Sequence, residues 1–390
     1  MNVVASAFLP DRELAGDDLA LVQRVRAFAA AQLAPHARRI DEEGEFRRAS
    51  VRELGEAGIL GGPIGPSHGG GAWTPLHVAL ANEELGAVCG NTRGFVAVQT
   101  GLVAQCLERF GDDAQRAEWL PKLCRGEVIG CFALTEEDAG SDVASLACRA
   151  HADGSGYRLS GRKIWITNGG VADVAIVFAT IDPALGREGI TAFLVPTDRP
   201  GLERTRMPGR ELGHRGSDHA TLAFADFAAQ ASEVLGGVGR GFAVAMGGLN
   251  AGRLSVAAGA VGIHRAALQA ALEFTASRRQ FGKPLVRFQM VQERLADSTT
   301  ELHAARQLVW RCARLRAAGQ ETALDLAMAK VCATEAASRA ADVAVQLHGG
   351  RGYTSAFPAE RLLRDAAALR IYEGTSMIQK TIIARGLTST

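Results

Sequence analysis

The chain has 390 residues, too many for one ordinary hydrophobic core, so two or three domains are expected. Hydrophobic residues make up 47% and charged residues 22%, and 43 basic against 42 acidic residues leave a formal charge of +1. That balance argues against the broad basic face of a nucleic-acid- or membrane-binding protein, while leaving room for a local basic pocket. Cys89, Cys106, Cys124, Cys131, Cys148, Cys312 and Cys332 show no C-x-x-C spacing and read as reduced core thiols. There is no H-E-x-x-H string and the nine histidines do not cluster, so no metal site is expected. The opening MNVVASAFLPDREL is neither a signal h-region nor a transit peptide, and no apolar run reaches about 20 residues without a charge or a breaker. A soluble, cytoplasmic protein is the expectation.

In chain order, apolar residues recur at helical spacing over 17–44, through Leu19, Val22, Val25, Phe28 and Leu33. Helical patterns follow at 51–57, 76–85, 94–110 and 114–125, separated by Gly- and Pro-rich loops such as 61–72. The texture changes near Glu127. Short segments at 128–134, 157–166, 174–180, 191–195 and 220–224 are broken every ten or so residues by Gly, Asp, Asn or Pro, the rhythm of an antiparallel sheet or barrel. After Gly241, long helical patterns span 242–278, 289–318, 321–346 and 358 to the C-terminus. The expected architecture is α+β and multi-domain: an N-terminal α-helical domain (1–127), a middle antiparallel β-barrel or sandwich domain (128–232) and a C-terminal four-helix-bundle domain (233–390).

Two motifs mislead. Gly65, Ser67 and Gly69 fit G-x-S-x-G, and HGGG at 68–71 resembles a lipase oxyanion loop. In hydrolases these belong to different junctions, whereas here they overlap, and Pro66 denies Ser67 a strand-to-helix elbow. A surface turn is the better reading. Gly237, Gly239 and Gly241 suggest a dinucleotide loop but lack the third spacing, the βαβ unit and the downstream acid.

Five strings carry chemistry, each with a plain structural reading beside it. ALTEEDAGSD (133–142) turns from a short strand into hydroxyls and a glycine that could face a heteroaromatic edge, or is a capped loop. KIWITNG (163–169) sets an indole beside a hydroxyl, able to wall an isoalloxazine, or is a core Trp before a hairpin. RRQFGK (278–283), with Gln289 following, could pair with a pyrophosphate or end a helix. QLHGGRGY (346–353) lets a backbone approach a ligand, or breaks a helix. In IYEGTS (371–376) one carboxylate sits in an otherwise apolar segment, where burial raises its pKa as a base near neutral pH requires; it could equally be a solvated helix residue.

Together and in this order, over nearly the whole chain, these strings resemble the acyl-CoA dehydrogenase family. Both family signatures are present, ALTEEDAGSD and the Q-x-x-G-G-x-G-Y element with Arg361 and Asp365 downstream. The resemblance implies FAD between the β-domain and the C-terminal helices. Phe132, Leu134, Thr135, Gly140 and Ser141 would line the flavin, with Trp165, Ile166 and Thr167 on another side. Arg278, Phe281, Gln289, Gln346, Gly349 and Gly350 would serve the pyrophosphate and adenosine, partly across a dimer interface. Thr375 and Met377 would close the site, although the family usually has Gln or Glu where Met377 stands.

The implied reaction is α,β-dehydrogenation of an acyl-CoA, with Glu373 as the base. Some members carry the base one residue before an Arg that resembles Arg253; here that residue is Gly252, which leaves the role with Glu373. Ser141, Asn250, Arg253 and Gly374 would contact the substrate. The segment RGFVAVQ (93–99) is similar to glutaryl-CoA dehydrogenase, which implies that Arg93 faces a polar or carboxylated acyl tail. The implied partners are an acyl-CoA, an electron-transferring flavoprotein and three further copies in a homotetramer built as a dimer of dimers. Alternatives on the same fold are a dehydrogenase for carrier-protein-bound acyl groups in secondary metabolism and a flavin-dependent oxygenase; a non-catalytic acyl-thioester-binding scaffold is the reading outside enzymes.

Overall fold

The computed structural model describes residues 8–388, so the first half of the opening stretch MNVVASAFLPDREL lies outside them. Helix α1 (Gly16–Phe28) runs through a widened turn, Ala29–Leu33, into α2 (Ala34–Glu43), which Gly44 ends in the left-handed conformation. After α3 (Ala49–Glu56) comes α4 (Pro75–Gly86), started by the Thr74 side chain accepting from His77 N–H, with Pro75 at the first helical position. Helix α5 (Gly90–Val96) passes through a π-helical stretch, Ala97–Ala104, into α6 (Gln105–Phe110). Helix α7 (Asp113–Arg125) opens with a reciprocal Asp112–Gln115 capping box and stops at Gly126.

The middle of the chain is one eight-stranded sheet: β1 (Gly130–Ala133), β2 (Arg149–Asp153), β3 (Gly156–Thr167), β4 (Val174–Thr180), β5 (Ile190–Pro196), β6 (Leu202–Arg206), β7 (His219–Gln230) and β8 (Val234–Leu235). The order is β6-β7-β3-β2-β4-β5-β8, with β1 joined to β4. Two features differ from the sequence expectation. Among the described residues the sheet does not close into a barrel, since β6 and β8 stand at its ends. It is also mixed: β1 runs parallel to β4 from Gly130↔Val174 to Ala133↔Val177, and β2 meets β4 parallel at Arg149↔Thr180. The strand that accepts both, VAIVFAT, is buried along its whole length, as a strand covered on both faces must be.

The C-terminal part holds α8 (Gly241–Ser277), α9 (Gln289–Ala317), α10 (Ala323–His348), α11 (Pro358–Leu369) and α12 (Ser376–Thr388). The helical pattern read as continuous from 358 is two helices, parted by a loop at 370–375. Helix α8 is the axis of the molecule and packs on α4, α9, α10 and α11. Small residues permit this: a Cβ at Gly86 would lie 2.5 Å from the Gly259 carbonyl oxygen, and one at Gly262 would lie 2.1 Å from that of Glu83. Charges fix the same junction. Arg265 pairs with Glu84 at 2.8 Å, Arg26 with Glu84 at 2.9 Å and Arg306 with Glu83 at 2.8 Å, so α1, α8 and α9 are all fastened to two buried carboxylates on α4. No helix among the described residues is long and apolar enough to cross a membrane.

Candidate active site

A cavity of about 470 Å³ opens where the sheet meets the helices. One wall is Phe132, Leu134 and Thr135 at the end of β1, with Trp165, Ile166 and Thr167 at the end of β3. Opposite lie Arg93, Val98 and Leu102 from α5 and its π-helical extension, Leu249 and Val256 from α8, and Tyr372 and Glu373 from the 370–375 loop. The β3 wall owes its shape to a break in register between Lys163 and Ile166, where Trp165 takes φ 57° and stays 53% exposed.

The turn after β1 is held from beneath. The buried Lys163 ammonium donates to the Leu134 carbonyl (3.1 Å) and to Glu136 Oε1 (2.6 Å), and the Glu136 carboxylate also accepts from the backbone N–H groups of Ala147 (2.6 Å) and Cys148 (3.0 Å). Ile164 N–H donates to the Thr135 carbonyl at 2.9 Å, tying the two walls together. Gly140 and Ser141 lie further along this turn, exposed and outside the cavity lining.

Glu373 occupies the loop between α11 and α12 with φ 57°, followed by Gly374 at φ 88°. The residue keeps a partly exposed face, but its Oε2 is wholly buried and has no hydrogen-bond partner among the described residues. Gly252 makes the space: a Cβ there would lie 2.5 Å from Glu373 Oε2. Burial pushes the Glu373 carboxyl up from 4.5 to about 7, against the pull of the Lys330, Arg253 and Arg93 charges. Burial also lowers the Arg253 guanidinium, which the Glu373 charge partly offsets. Asn250 orients that guanidinium, its Oδ1 accepting from Arg253 Nη1 at 2.9 Å.

Arg93 is fully buried in the cavity wall, and its Nε and Nη1 have no partner among the described residues. Its Nη2 donates to the Tyr372 hydroxyl. The Tyr372 ring meets His214 edge-on at 5.8 Å, and His214 is held by its backbone N–H donating to Asp365 Oδ1 at 2.8 Å. Burial lowers the His214 pKa, which disfavours a second cation beside the under-satisfied Arg93 guanidinium.

Other sequence-predicted residues lie apart from the cavity. Arg278, Phe281 and Gln289 follow the end of α8, while Gln346, Gly349 and Gly350 are at the end of α10; all six are exposed. The two groups share one end of the helical layer, where Phe274 stacks on His348 with centroids 4.3 Å apart. Thr375 Oγ1 accepts from Ile378 N–H at 3.2 Å, starting α12, and Met377 is 75% exposed. Ser67 sits with His68 on an exposed single turn of 3-10 helix. No group of three or more His, Cys, Asp or Glu that could hold a metal ion occurs among the described residues. Sequence reasoning missed Lys163, Glu136, His214, Gln379 and above all Lys330, whose signal was a lone lysine in the Ala-rich 323–348 helix.

The frame and the site together are those of a recognised class of flavin-dependent oxidoreductases. Family models described as the acyl-CoA dehydrogenase N-terminal, middle and C-terminal domains match residues 16–127, 131–227 and 239–388. The chain belongs to the acyl-CoA dehydrogenase family. It is 40% identical over 376 residues to a probable acyl-CoA dehydrogenase of Bacillus subtilis, YngJ, covering 96% of this chain and 99% of that one. It is 40% identical to the human mitochondrial short-chain specific acyl-CoA dehydrogenase, covering 93% and 88%. Among solved structures, butyryl-CoA dehydrogenase from Megasphaera elsdenii superposes with a TM-score of 0.93 at 36% identity, covering 96% and 99%. The prolyl acyl carrier protein oxidase AnaB gives 0.93 at 33%, covering 96% and 100%. A glutaryl-CoA dehydrogenase from Mycobacterium smegmatis in complex with FADH2 gives 0.93 at 34%, covering 97% and 96%.

The residues present fit a flavin. The cavity offers a flat ring system an apolar wall of Phe132 and Leu134, the half-exposed Trp165 indole, and the Thr135 and Thr167 hydroxyls for polar edges.

Proposed function

We propose that the chain oxidises an acyl thioester between its α and β carbons, with Glu373 as the base that removes the α proton. The observation that carries this reading is Glu373 itself, a residue of the cavity lining whose Oε2 is buried without a partner and whose carboxyl is pushed up to about 7. A base is most effective when its pKa lies near the working pH, where it is both available and strong enough to take a proton. The Glu373 backbone N–H would donate to the thioester oxygen and stabilise the charge that develops there as the proton leaves.

FAD would be held between the Phe132–Thr135 and Trp165–Thr167 walls, and when bound it supplies the acceptor for the hydride that leaves the β carbon. Gly140, Ser141, Thr375 and Met377 would border it. Arg278, Phe281, Gln289, Gln346, Gly349 and Gly350 would meet its adenosine end, in part on a second copy. Phe281 is 92% and Tyr353 87% exposed, apolar surface of the kind a second copy covers, in keeping with a dimer of dimers. An electron-transferring flavoprotein as the onward electron acceptor belongs to the same proposal.

Ser141, Asn250, Arg253 and Gly374 would contact the thioester arm. Arg93, buried in the cavity wall with its Nε and Nη1 unpartnered, would bind a carboxylate or other acceptor at the acyl end. A thioester on a carrier protein is the second reading, favoured by the likeness to AnaB across 96% of the chain. The test is anaerobic flavin bleaching by a panel of acyl-CoA and carrier-protein thioesters, in the native enzyme and in Glu373→Gln. Bleaching by one thioester, lost in the variant, is the expected result. Equal bleaching by Glu373→Gln would remove Glu373 from the chemistry.

A further inference from the structure

The Glu373 loop rests on a cation that has no contact with the cavity. Lys330, in the middle of α10, is fully buried, and its Nζ donates to the carbonyls of Tyr372 (3.0 Å) and Gly374 (2.6 Å), the residues on either side of Glu373. Gln379 Nε2, also buried, donates to the carbonyls of Glu373 (3.3 Å) and Gly374 (3.1 Å), and Arg253 Nε reaches that of Glu373 at 3.4 Å. Each carbonyl from 372 to 374 is therefore engaged by a side chain packed beneath or beside the loop. The described residues contain no cis peptide bond, and in a trans peptide the N–H points opposite to the C=O. With the Tyr372 carbonyl drawn to Lys330, the Glu373 N–H is turned away from α10. Tyr372 and Glu373 themselves line the cavity, and Lys330 is not among its lining residues.

Lys330 also places a charge beside the base. The groups that face the Glu373 carboxyl are Lys330 from α10, Arg253 from α8, Arg93 from α5, the Cys106 thiol from α6 and the neighbouring Tyr372 phenol. Lys330 is the largest of the cationic influences that draw the carboxyl down from the value that burial alone would give. The ammonium bears the cost of its own burial, which lowers it from 10.5 to about 8, and the Glu373 charge opposes that fall. A buried ammonium bonded to backbone carbonyls is costly as a purely structural device, because apolar residues of similar volume often serve a core as well or better.

We propose that Lys330 is a positioning residue for the reaction: through the Tyr372 carbonyl it aims the Glu373 N–H at the thioester oxygen, and its charge favours the carboxylate form of Glu373. The inference rests on the reading of Glu373 as the base, and its test separates the two. Lys330→Met removes tethers and charge, Lys330→Gln keeps a donor without the charge, and Lys330→Arg keeps both. In the FAD-loaded enzyme without thioester, the Glu373 carboxyl band is assigned by infrared difference against Glu373→Gln and followed across pH. Its midpoint is expected to move up by about one pH unit or more in the Met and Gln variants and to return toward the native value in Lys330→Arg. The second readout is the pH at which bound acetoacetyl-CoA, a 3-ketoacyl thioester, ionises to its enolate, followed by absorbance. That midpoint is expected to rise most in Lys330→Met, where the carbonyl tether is also lost. Native midpoints in a folded, flavin-bound Lys330→Met overturn the proposal; if that variant does not fold, an unmoved carboxyl band in Lys330→Gln overturns it. A native enzyme that no thioester bleaches would remove the dehydrogenase reading, while the carboxyl band would still report whether Lys330 sets the state of Glu373.

Discussion

Gly252 lies within α8 directly against Glu373, the proposed base, and replacing it with alanine sets activity against stability. The added carbon would stand 2.5 Å from Glu373 Oε2, 2.6 Å from Cδ and 2.8 Å from Oε1. Ordinary contact begins at about 3.5 Å, so the carboxylate has to retreat by about 1 Å. It can do so at little cost to the fold, because it is the tip of a side chain and not backbone. Displacing a reacting group by about 1 Å lowers a rate on the order of 100-fold. Alanine in place of a mid-helix glycine contributes about 0.5–1 kcal/mol to the folded state. Gly252→Ala is therefore expected to bleach about 100-fold more slowly with its best thioester in anaerobic stopped flow, while its thermal midpoint holds or rises. A rate within about threefold of the native enzyme, less than about 1 kcal/mol of barrier, would mean that the position of the Glu373 carboxylate does not limit the reaction. A joint fall in rate and midpoint would assign the loss to the helix.

Three further outcomes are expected. Arg93→Met should lower bleaching by glutaryl-CoA about 10–100-fold relative to butyryl-CoA, the worth of a hydrogen bond to a charged group; an unchanged ratio among thioesters counts against an acidic acyl tail. Because the Glu373 carboxyl is raised in the folded state, the fold binds its proton more tightly than the unfolded chain does, and stability is lost as pH rises from 4.5 through about 7. Denaturant titrations of the flavin-free protein should show Glu373→Gln gaining on the native chain across that window, on the order of 3 kcal/mol by pH 8, and parallel curves would contradict the shift. Lys163→Met strands the Glu136 carboxylate, whose ion pair at 2.6 Å is buried, and should cost about 3 kcal/mol in urea unfolding; a loss near zero would mean that the two backbone N–H groups suffice for Glu136.

The long helices were legible because 3.6-residue spacing is a local signal. The 289–318 pattern differs from Gln289–Ala317 by a single residue. The strand at Val174–Thr180 was equally plain, a run between Asp173 and Asp182 that is apolar but for Thr180. The polar strands RAHAD and LERTR were not, since neither buries a continuous face and their hydrogen bonds come from neighbours distant in sequence. Strand order is tertiary information, which is why spacing suggested an antiparallel sheet or barrel where an open sheet with two parallel pairings stands. At the site, Glu373 was visible as an isolated carboxylate in a familiar string. Lys330 stood out only as a lone lysine in an Ala-rich helix; its role was not legible because its partners are backbone carbonyls, which no side-chain pattern records.

The fastening of α4 to α8 and α9 through Glu83 and Glu84 has a consequence for biosynthesis. The carboxylates leave the ribosome at position 84, but Arg265 and Arg306 follow only after the entire sheet has been made. At about 5–20 residues per second the wait is on the order of ten seconds or more. During that time the apolar face of α4 and the Glu83 carboxylate lack their final partners, and Glu84 has only Arg26 of α1 to pair with. The sheet behaves as an insertion within a helical body whose two halves complete each other, and severing the chain between them would be expected to leave neither half folded.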